Sequence, residues 1–406
     1  MKPKKILHVI HSMDPVLGGV CKAVRTIVTS LVENGIDNEV VSLDGINADF
    51  IVSDTFKTHA LGKGRNAWGY NPKLLRWLKD NVQNYNVVVV HGLWLFSSYA
   101  VYLAIKSINK KDRPKYFVMP HGMLDPYFQK AKGRRLKAIR NWLYWKLIES
   151  KVVNSADGLL FTCEEECVLA KKSFKPYNPK KELIVGLGVE APPQYTVLMD
   201  KAFFSTCDGL ENKPFLLFLS RIHEKKGVDL LLEAYRKIIT NPVEKKTPTY
   251  GSVFTIPALV IVGPGIETGY GKKLMRIIDE DSSLKKNIYL PGMLTGDAKW
   301  GAFYNSEAFI LPSHQENFGI AVVESLACQK PVLISNQINI WKEIKRGEGG
   351  LVENDTLSGT IKLLQDWINL SPVEKEGMGR QSKICFETYF SIQALVSNWK
   401  SKVLNL

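Results

Sequence analysis

Two glutamates stand eight positions apart in the string Ser313-His-Gln-Glu316-Asn317-Phe318-Gly319-Ile320-Ala-Val-Val-Glu324-Ser325. From Gly319 the pattern is helical and almost entirely apolar, through Ile320, Ala321, Val322, Val323, Leu326 and Ala327, which marks a buried helix. Glu324 is therefore a carboxylate on an apolar helix, where an isolated charge is costly and needs hydroxyl or cationic partners. Ribose hydroxyls meet that need, and so does an ion pair. Glu316, just ahead of the helix, can accept hydrogen bonds from sugar hydroxyls or cap the helix itself. The free N–H groups of Asn317 to Ile320 point toward sugar or phosphate oxygens.

Upstream, Arg221-Ile-His-Glu-Lys-Lys226-Gly227 carries a forked cation and a point-charge cation that can converge on one diphosphate. Taken alone, the cluster reads equally as solvated surface charge. Near the start, Leu17-Gly18-Gly19-Val20 lets backbone N–H groups approach a phosphate at a helix amino end, although a glycine-rich turn by itself is common. His91 and His121 both end apolar runs. A single histidine at such a place is more often a satisfied structural residue, and the identical placement of the two favours a functional role for His121.

Parallel sheets bind ligands at the carboxyl ends of their strands, which is where these clusters fall if the apolar runs are strands. Ile6 to Ile10, Glu39 to Leu43, Val87 to Val90, Tyr116 to Met119 and Gly158 to Phe161 form a first series, and amphipathic stretches such as Cys21 to Asn34 separate them. Phe215 to Leu219, Ala258 to Val262, Asn287 to Leu290, Ala308 to Leu311 and Val332 to Ile334 form a second. The rhythm predicts two α/β domains, at 1–190 and 191–389, with the linker inside Gly186 to Pro214. Asn241 to Ile256 reads as a polar surface insertion. The end of the chain is helical in pattern, and its last helix, about 390–406, is open to packing back on the first domain.

The 406 residues exceed what one core of about 250–300 residues supports. A net charge of +14 asks for an acidic partner. Six scattered cysteines, of which only Cys163 and Cys167 lie close together, predict neither a metal site nor a disulfide. No run of about 18 apolar residues is present and the apolar start is short for a leader, so a cytoplasmic chain is expected. Lys130 to Lys151 combines eight basic residues and one acidic residue with Leu136, Ile139, Trp142, Leu143, Trp145 and Leu147. That composition suits a peripheral contact with an anionic membrane, and packing of the apolar face on its own domain is the preferred reading.

Arg-x4-Lys, then Glu-x7-Glu about ninety residues on, with Gly-Gly near the start and a Pro-His-Gly strand end, resembles the large retaining glycosyltransferase family 4 from about Ile6 to about Val352. The resemblance implies the GT-B fold, two Rossmann-like domains with parallel sheets facing across a cleft. It implies hexosyl transfer without a metal, and no cofactor beyond a nucleoside diphosphate sugar, UDP- or GDP-linked, as co-substrate. Carried over by motif, Arg221, Lys226, Glu316 and His121 form the catalytic set. Gly18, Gly19, Gly263, Leu294, Asn317, Phe318, Gly319, Ile320 and Glu324 bind the donor, and His91 and Asp125 lie on the acceptor side. Asn317 departs from the glycine many members have there, which leaves donor preference open. The His-Gly-Leu-Trp and His-Gly-Met-Leu-Asp-Pro strings look like the branch that builds bacterial surface polysaccharides, with a saccharide acceptor that is lipid-linked if the basic helix serves a membrane.

No carboxylate occupies a nucleophile's place by motif, which favours front-face substitution over double displacement. Other readings stay open: an epimerase or phosphorylase of the same fold, or a non-catalytic nucleotide-sugar-binding or nucleic-acid-binding protein. For the last, no recognised module or aromatic-basic repeat is visible, so nucleic acid is not an expected partner.

Overall fold

The apolar runs form strands of two parallel sheets in the computed structural model, which describes residues 4–130, 135–240 and 256–405, and all of them are inner strands except the run at Asn287 to Leu290, which forms an edge. In the first unit β1 (Lys5–Val9), β2 (Asp37–Ser42), β3 (Lys57–Ala60), β4 (Val87–His91), β5 (Lys115–Met119), β6 (Gly158–Phe161) and β7 (Glu182–Ile184) take the order β3-β2-β1-β4-β5-β6-β7. In the second, β8 (Phe215–Leu219), β9 (Ala258–Val262), β10 (Ile288–Gly292), β11 (Ala308–Leu311), β12 (Val332–Ser335) and β13 (Gly350–Glu353) take the order β10-β9-β8-β11-β12-β13. Each sheet reverses its direction of growth once, between β1 and β4 and between β8 and β11. At such a switch point the flanking helices leave on opposite faces and open a crevice at the carboxyl ends.

Strands such as β4 and β9 are buried along their whole length because helices cover both faces, hence their unbroken valine and isoleucine runs. Three edge strands lack that signature and do not stand out in the sequence. β3, β7 and β13 are mostly half-buried, and β3 reads Lys-Thr-His-Ala. The helix Gly19–Glu33 buries Val24, Ile27, Val28 and Leu31, the stripe that its periodicity predicts, and Cys21 with them.

The unit boundary falls between Gly188 and Val189. The stretch read as a linker contains the helix Val197–Phe204, which packs so closely on Gly296–Asn305 that a Cβ at Gly301 would run into the carbonyl of Met199. This polar, proline-containing sequence is thus part of the second unit. The chain returns at Ile392, so Ile392–Leu406 belongs with the first unit and places the fully buried Trp399 beside His8. The insertion expected at Asn241 to Ile256 lies outside the described residues except at its end.

Candidate active site

The second sheet brings the charged motifs together at its switch point. After β8, a short turn ends at Lys226, where the His223 ring accepts from the Lys225 N–H at 3.1 Å. Gly227 follows in the left-handed region, φ 67°, and a Cβ there would collide with the carbonyl oxygen of Pro312 after β11. The Lys225 carbonyl accepts from His314 N–H and Ser313 Oγ, each at 2.9 Å. With the two loops joined backbone to backbone, Lys226 is buried and its ammonium donates to Glu316. Arg221 is exposed and has no carboxylate partner among the described residues.

Glu316 is held by its main chain, its N–H donating to Gln337 at 3.0 Å and its carbonyl accepting from Asn339 at 2.9 Å. It does not cap the next helix. Ile320–Ala327 has no side-chain cap at all, and Gly319 ahead of it takes φ 76°. Its first N–H groups therefore have no side-chain acceptor, at the place where the partial positive charge of the helix lies. Asn317 accepts from the Asn339 amide at 3.3 Å, whereas Phe318 is buried edge-on against Phe390, which makes it a core residue.

The buried Glu324 has the cationic partner that its setting demands. Lys299 Nζ lies 2.7 Å from Glu324 Oε1, with its charge over the Trp300 ring at 4.5 Å. The sequence required some cation here, but Lys299 sits 25 positions away on another helix and could not be chosen from spacing. At the neighbouring strand ends, Gly263 has φ 142° and no room for a Cβ against the Ser220 carbonyl, so packing alone already demands glycine. Leu294 is buried and Met293 exposed.

In the first unit, Gly18 and Gly19 are exposed at the amino end of the helix Gly19–Glu33. A Cβ at Gly19 would meet nothing within 4 Å, so packing does not require glycine there. His91 is buried between two other histidines, with His8 Nδ1 2.9 Å from its Nε2 and His121 Nε2 2.9 Å from its Nδ1. His121 is half-buried and has φ 53°. Burial lowers the pKa of His8 and His121 to about 4 and that of His91 well below the usual range. Asp125 is buried and accepts from the Tyr127 N–H at 2.8 Å, closing the turn after His121. Two buried acids went unpredicted. Glu166 accepts from Gly122 N–H at 2.6 Å, and Glu149 accepts from Trp94 N–H and Ser98 Oγ.

Residues 131–134 of the basic segment, and the side chains of Lys130, Arg135 and Leu136, lie outside the described residues. The rest departs from the expectation that its apolar face packs inward. Trp145 is fully buried and stacks on Phe174 at 4.9 Å, but Ile139, Trp142, Leu143 and Leu147 are 58, 47, 48 and 65% exposed. Lys137, Arg140, Lys146 and Lys151 are exposed along the same segment, and Lys146 lies 4.4 Å over Trp142. Trp145 anchors the segment, whereas Ile139, Trp142, Leu143 and Leu147 stay uncovered. No helix among the described residues is long and apolar enough to cross a membrane, and no cluster of three or more His, Cys, Asp or Glu is arranged to hold a metal.

Two family models match in succession, Glycosyltransferase Family 4 over residues 17–176 and Glycosyl transferases group 1 over 207–377. A D-inositol 3-phosphate glycosyltransferase of Gordonia bronchialis is 24% identical over 62% of this chain and 54% of its own. The capsular polysaccharide biosynthesis glycosyltransferase CapM of Staphylococcus aureus is 22% identical over 65% of this chain and 66% of its own. The chain thus spans between about half and two thirds of the length of these curated relatives. It spans 37% of an uncharacterized glycosyltransferase of Methanocaldococcus jannaschii. The crystal structure of Anabaena Alr3699/HepE in complex with UDP superposes with a TM-score of 0.70 at 14% identity, covering 99% of this chain and all of that one. The fold is GT-B.

Proposed function

We propose, for a chain that by its two successive domains is a glycosyltransferase of the GT-B fold, retaining transfer of a sugar from a UDP- or GDP-linked donor to a saccharide acceptor. The observation that carries this reading is the buried Lys226, set against Glu316 at the β8/β11 switch point with Arg221 unpaired nearby. An ammonium has three donors. One is spent on Glu316, which orients the side chain, and the others are available to a diphosphate that also meets the Arg221 fork. The uncapped helix end after Gly319 adds N–H groups for the sugar or its phosphate. Glu324, with one oxygen on Lys299, offers the other to ribose hydroxyls.

In the proposed step the acceptor oxygen bonds to the anomeric carbon on the face from which the diphosphate departs. The carbon–oxygen bond to the diphosphate breaks, and the acceptor proton passes to a diphosphate oxygen. Arg221 and Lys226 stabilise the charge that grows on the leaving group, and they act through charge present before the reaction starts.

A second observation favours a lipid-linked acceptor in surface-polysaccharide assembly. The exposed Ile139, Trp142, Leu143 and Leu147 lie among exposed lysines and arginines, which suits the interface of an anionic membrane. The similarity to a capsular polysaccharide glycosyltransferase points the same way.

The test is a panel of UDP- and GDP-sugars scored first by thermal stabilisation and then by sugar transfer with product analysis. Binding of the true donor raises the melting temperature in proportion to saturation. Stabilisation by none of the panel would overturn the reading.

A further inference from the structure

At the amino ends of β5, β6 and β7 the first unit carries a hollow of about 360 Å³. Phe117 on β5 pairs in register with Gly158 on β6, and the pairing of Leu159 with Glu182 sets Lys181, just ahead of β7, opposite Gly158. With no side chain at Gly158, its neighbours close over it from both sides. A Cβ there would stand 3.2 Å from the Phe117 ring and 3.3 Å from the Cβ of Lys181. Ring and stem therefore form an apolar floor, which leaves the Lys181 ammonium for the rim. Side chains alternate faces along a strand, so Lys115 stands beside Phe117 and Leu183 beside Lys181 on that same face. The returning C-terminal segment supplies the last wall, where Lys402 and Asn405 line the hollow and Lys402 donates to the Ile184 carbonyl at 2.7 Å.

Six of the eleven residues that line the hollow are cations, Lys110, Arg113, Lys115, Lys180, Lys181 and Lys402, and Asp157 is the one acid among them. Asp157 is already committed. Arg113 donates to both of its oxygens, at 2.6 and 2.8 Å, and Lys180 donates to Oδ1 at 3.1 Å. Lys180 also donates to the Ser155 carbonyl at the end of the helix Ser150–Ser155, at 3.0 Å, a place where a cation is favourable. Arg113, Lys180 and Lys402 thus have structural reasons for their positions. Lys110, Lys115 and Lys181 have none, for all three are exposed and their ammonium groups have no hydrogen-bond or ion-pair partner among the described residues. One such lysine on a surface is ordinary. Three around a single hollow, whose only carboxylate is bridged by two other cations, concentrate positive potential that a bound anion relieves.

We propose that this hollow is an anion site of the first unit, separate from the transfer chemistry, and that its ligand is a group bearing a terminal phosphate or a diphosphate. Three ammonium groups without a counter-ion call for more than one negative charge. A terminal phosphate brings close to two of them on three acceptor oxygens, where a carboxylate brings one. Position keeps the site away from His121. The hollow lies where β5 begins, at Lys115, and His121 follows where β5 ends, roughly 13 Å farther on for four steps along a parallel strand. No residue of the second unit enters the site, so the inference does not depend on the donor reading.

Inorganic pyrophosphate is the first probe, titrated calorimetrically into the Lys226→Ala chain so that the diphosphate site proposed in the second unit does not contribute. Binding that weakens as salt rises is expected. Lys115→Gln/Lys181→Gln in the same background is expected to weaken it at least about tenfold, the size of one charged hydrogen bond. Lys73→Gln/Lys79→Gln removes two exposed charges from the helix Pro72–Asn81 of the same unit and is expected to change binding less than about twofold. No binding of pyrophosphate, or equal weakening in the two double variants, overturns the proposal. The four lysines are exposed, so melting temperatures close to that of the parent chain are expected, and the same comparison in the Arg221→Ala chain serves if Lys226→Ala does not fold. Vesicles then identify the source of the phosphate. Retention on phosphatidic acid, which ends in a phosphate, above that on phosphatidylglycerol at matched surface charge, with displacement by pyrophosphate, assigns a lipid headgroup. Equal retention on both lipids, with pyrophosphate still bound, assigns a soluble ligand.

Discussion

Lys226 and Glu316, ninety residues apart in the chain, form an ion pair in which the lysine is the more buried partner. Their side chains are 9 and 27% exposed, so the pair lies at the wall of a crevice and not within the core. A lysine placed in this way is oriented by its partner and still open to an anion.

Lys226→Ala is expected to lower turnover by about 10²–10³-fold, the usual cost of one donor to a developing negative charge. Arg221→Ala should cost less, since its side chain is exposed. Glu316→Gln should lower turnover too, and the Lys226→Ala/Glu316→Gln double variant should lose less than the product of the single losses, because the two residues act as a unit. Steady-state transfer assays on variants with native circular dichroism provide the check. Turnover near the native value in all three single variants would exclude this site.

Glu324 and Lys299 are 11 and 22% exposed, and removing either strands the other on low-dielectric ground. Lys299→Met is expected to destabilise the chain by about 2 kcal/mol in urea unfolding, somewhat less than for a fully buried pair. Glu324→Gln should be milder in stability but should raise KM for the donor. An unchanged donor KM would remove Glu324 from the ribose.

Glu149 links stability to pH. Burial raises its pKa from 4.5 to about 7, against the hydrogen bonds from Ser98 and Trp94 that favour the charged form. Between these values the folded chain holds a proton that the unfolded chain has released, so this contribution to stability falls as pH rises from about 4.5 to about 7 and is lost above that. Its full span is about 3 kcal/mol by the usual conversion. The buried His8 and the half-buried His121 act in the opposite sense, losing stability as pH falls from 6.5 toward about 4. Comparing native chain with Glu149→Gln isolates the glutamate. The variant should gain at pH 8 relative to its standing at pH 5, as read from urea midpoints at the two pH values, and a pH-independent difference would contradict the assignment.

For the basic segment, Trp142→Asp and Leu143→Asp are expected to abolish cosedimentation with vesicles rich in anionic lipid while leaving soluble-acceptor turnover intact. Binding by the native chain should weaken as salt rises. Equal partition to neutral vesicles would argue against the proposed membrane contact.

Much of this protein could be read from the sequence because the relevant physics is local. A buried parallel strand needs an unbroken apolar run, and β4, β8, β9 and β11 carry one. Arg221, Lys226, Glu316 and the apolar helix after Gly319 were identifiable because strand end, loop and helix start follow one another within a few residues. The tertiary structure decided which residues became neighbours. Periodicity reports which face of an element is buried, but not which strand lies beside it, and here crossover connections place β1 next to β4 and β8 next to β11. Hence the partner of Glu324, the pairing of Lys226 with Glu316, and the row of His8, His91 and His121 appear only once the strand order is known. The exposed stripe of Ile139, Trp142, Leu143 and Leu147 was decided in the same way. An amphipathic pattern shows that a face is apolar, and only packing shows whether the rest of the molecule covers it.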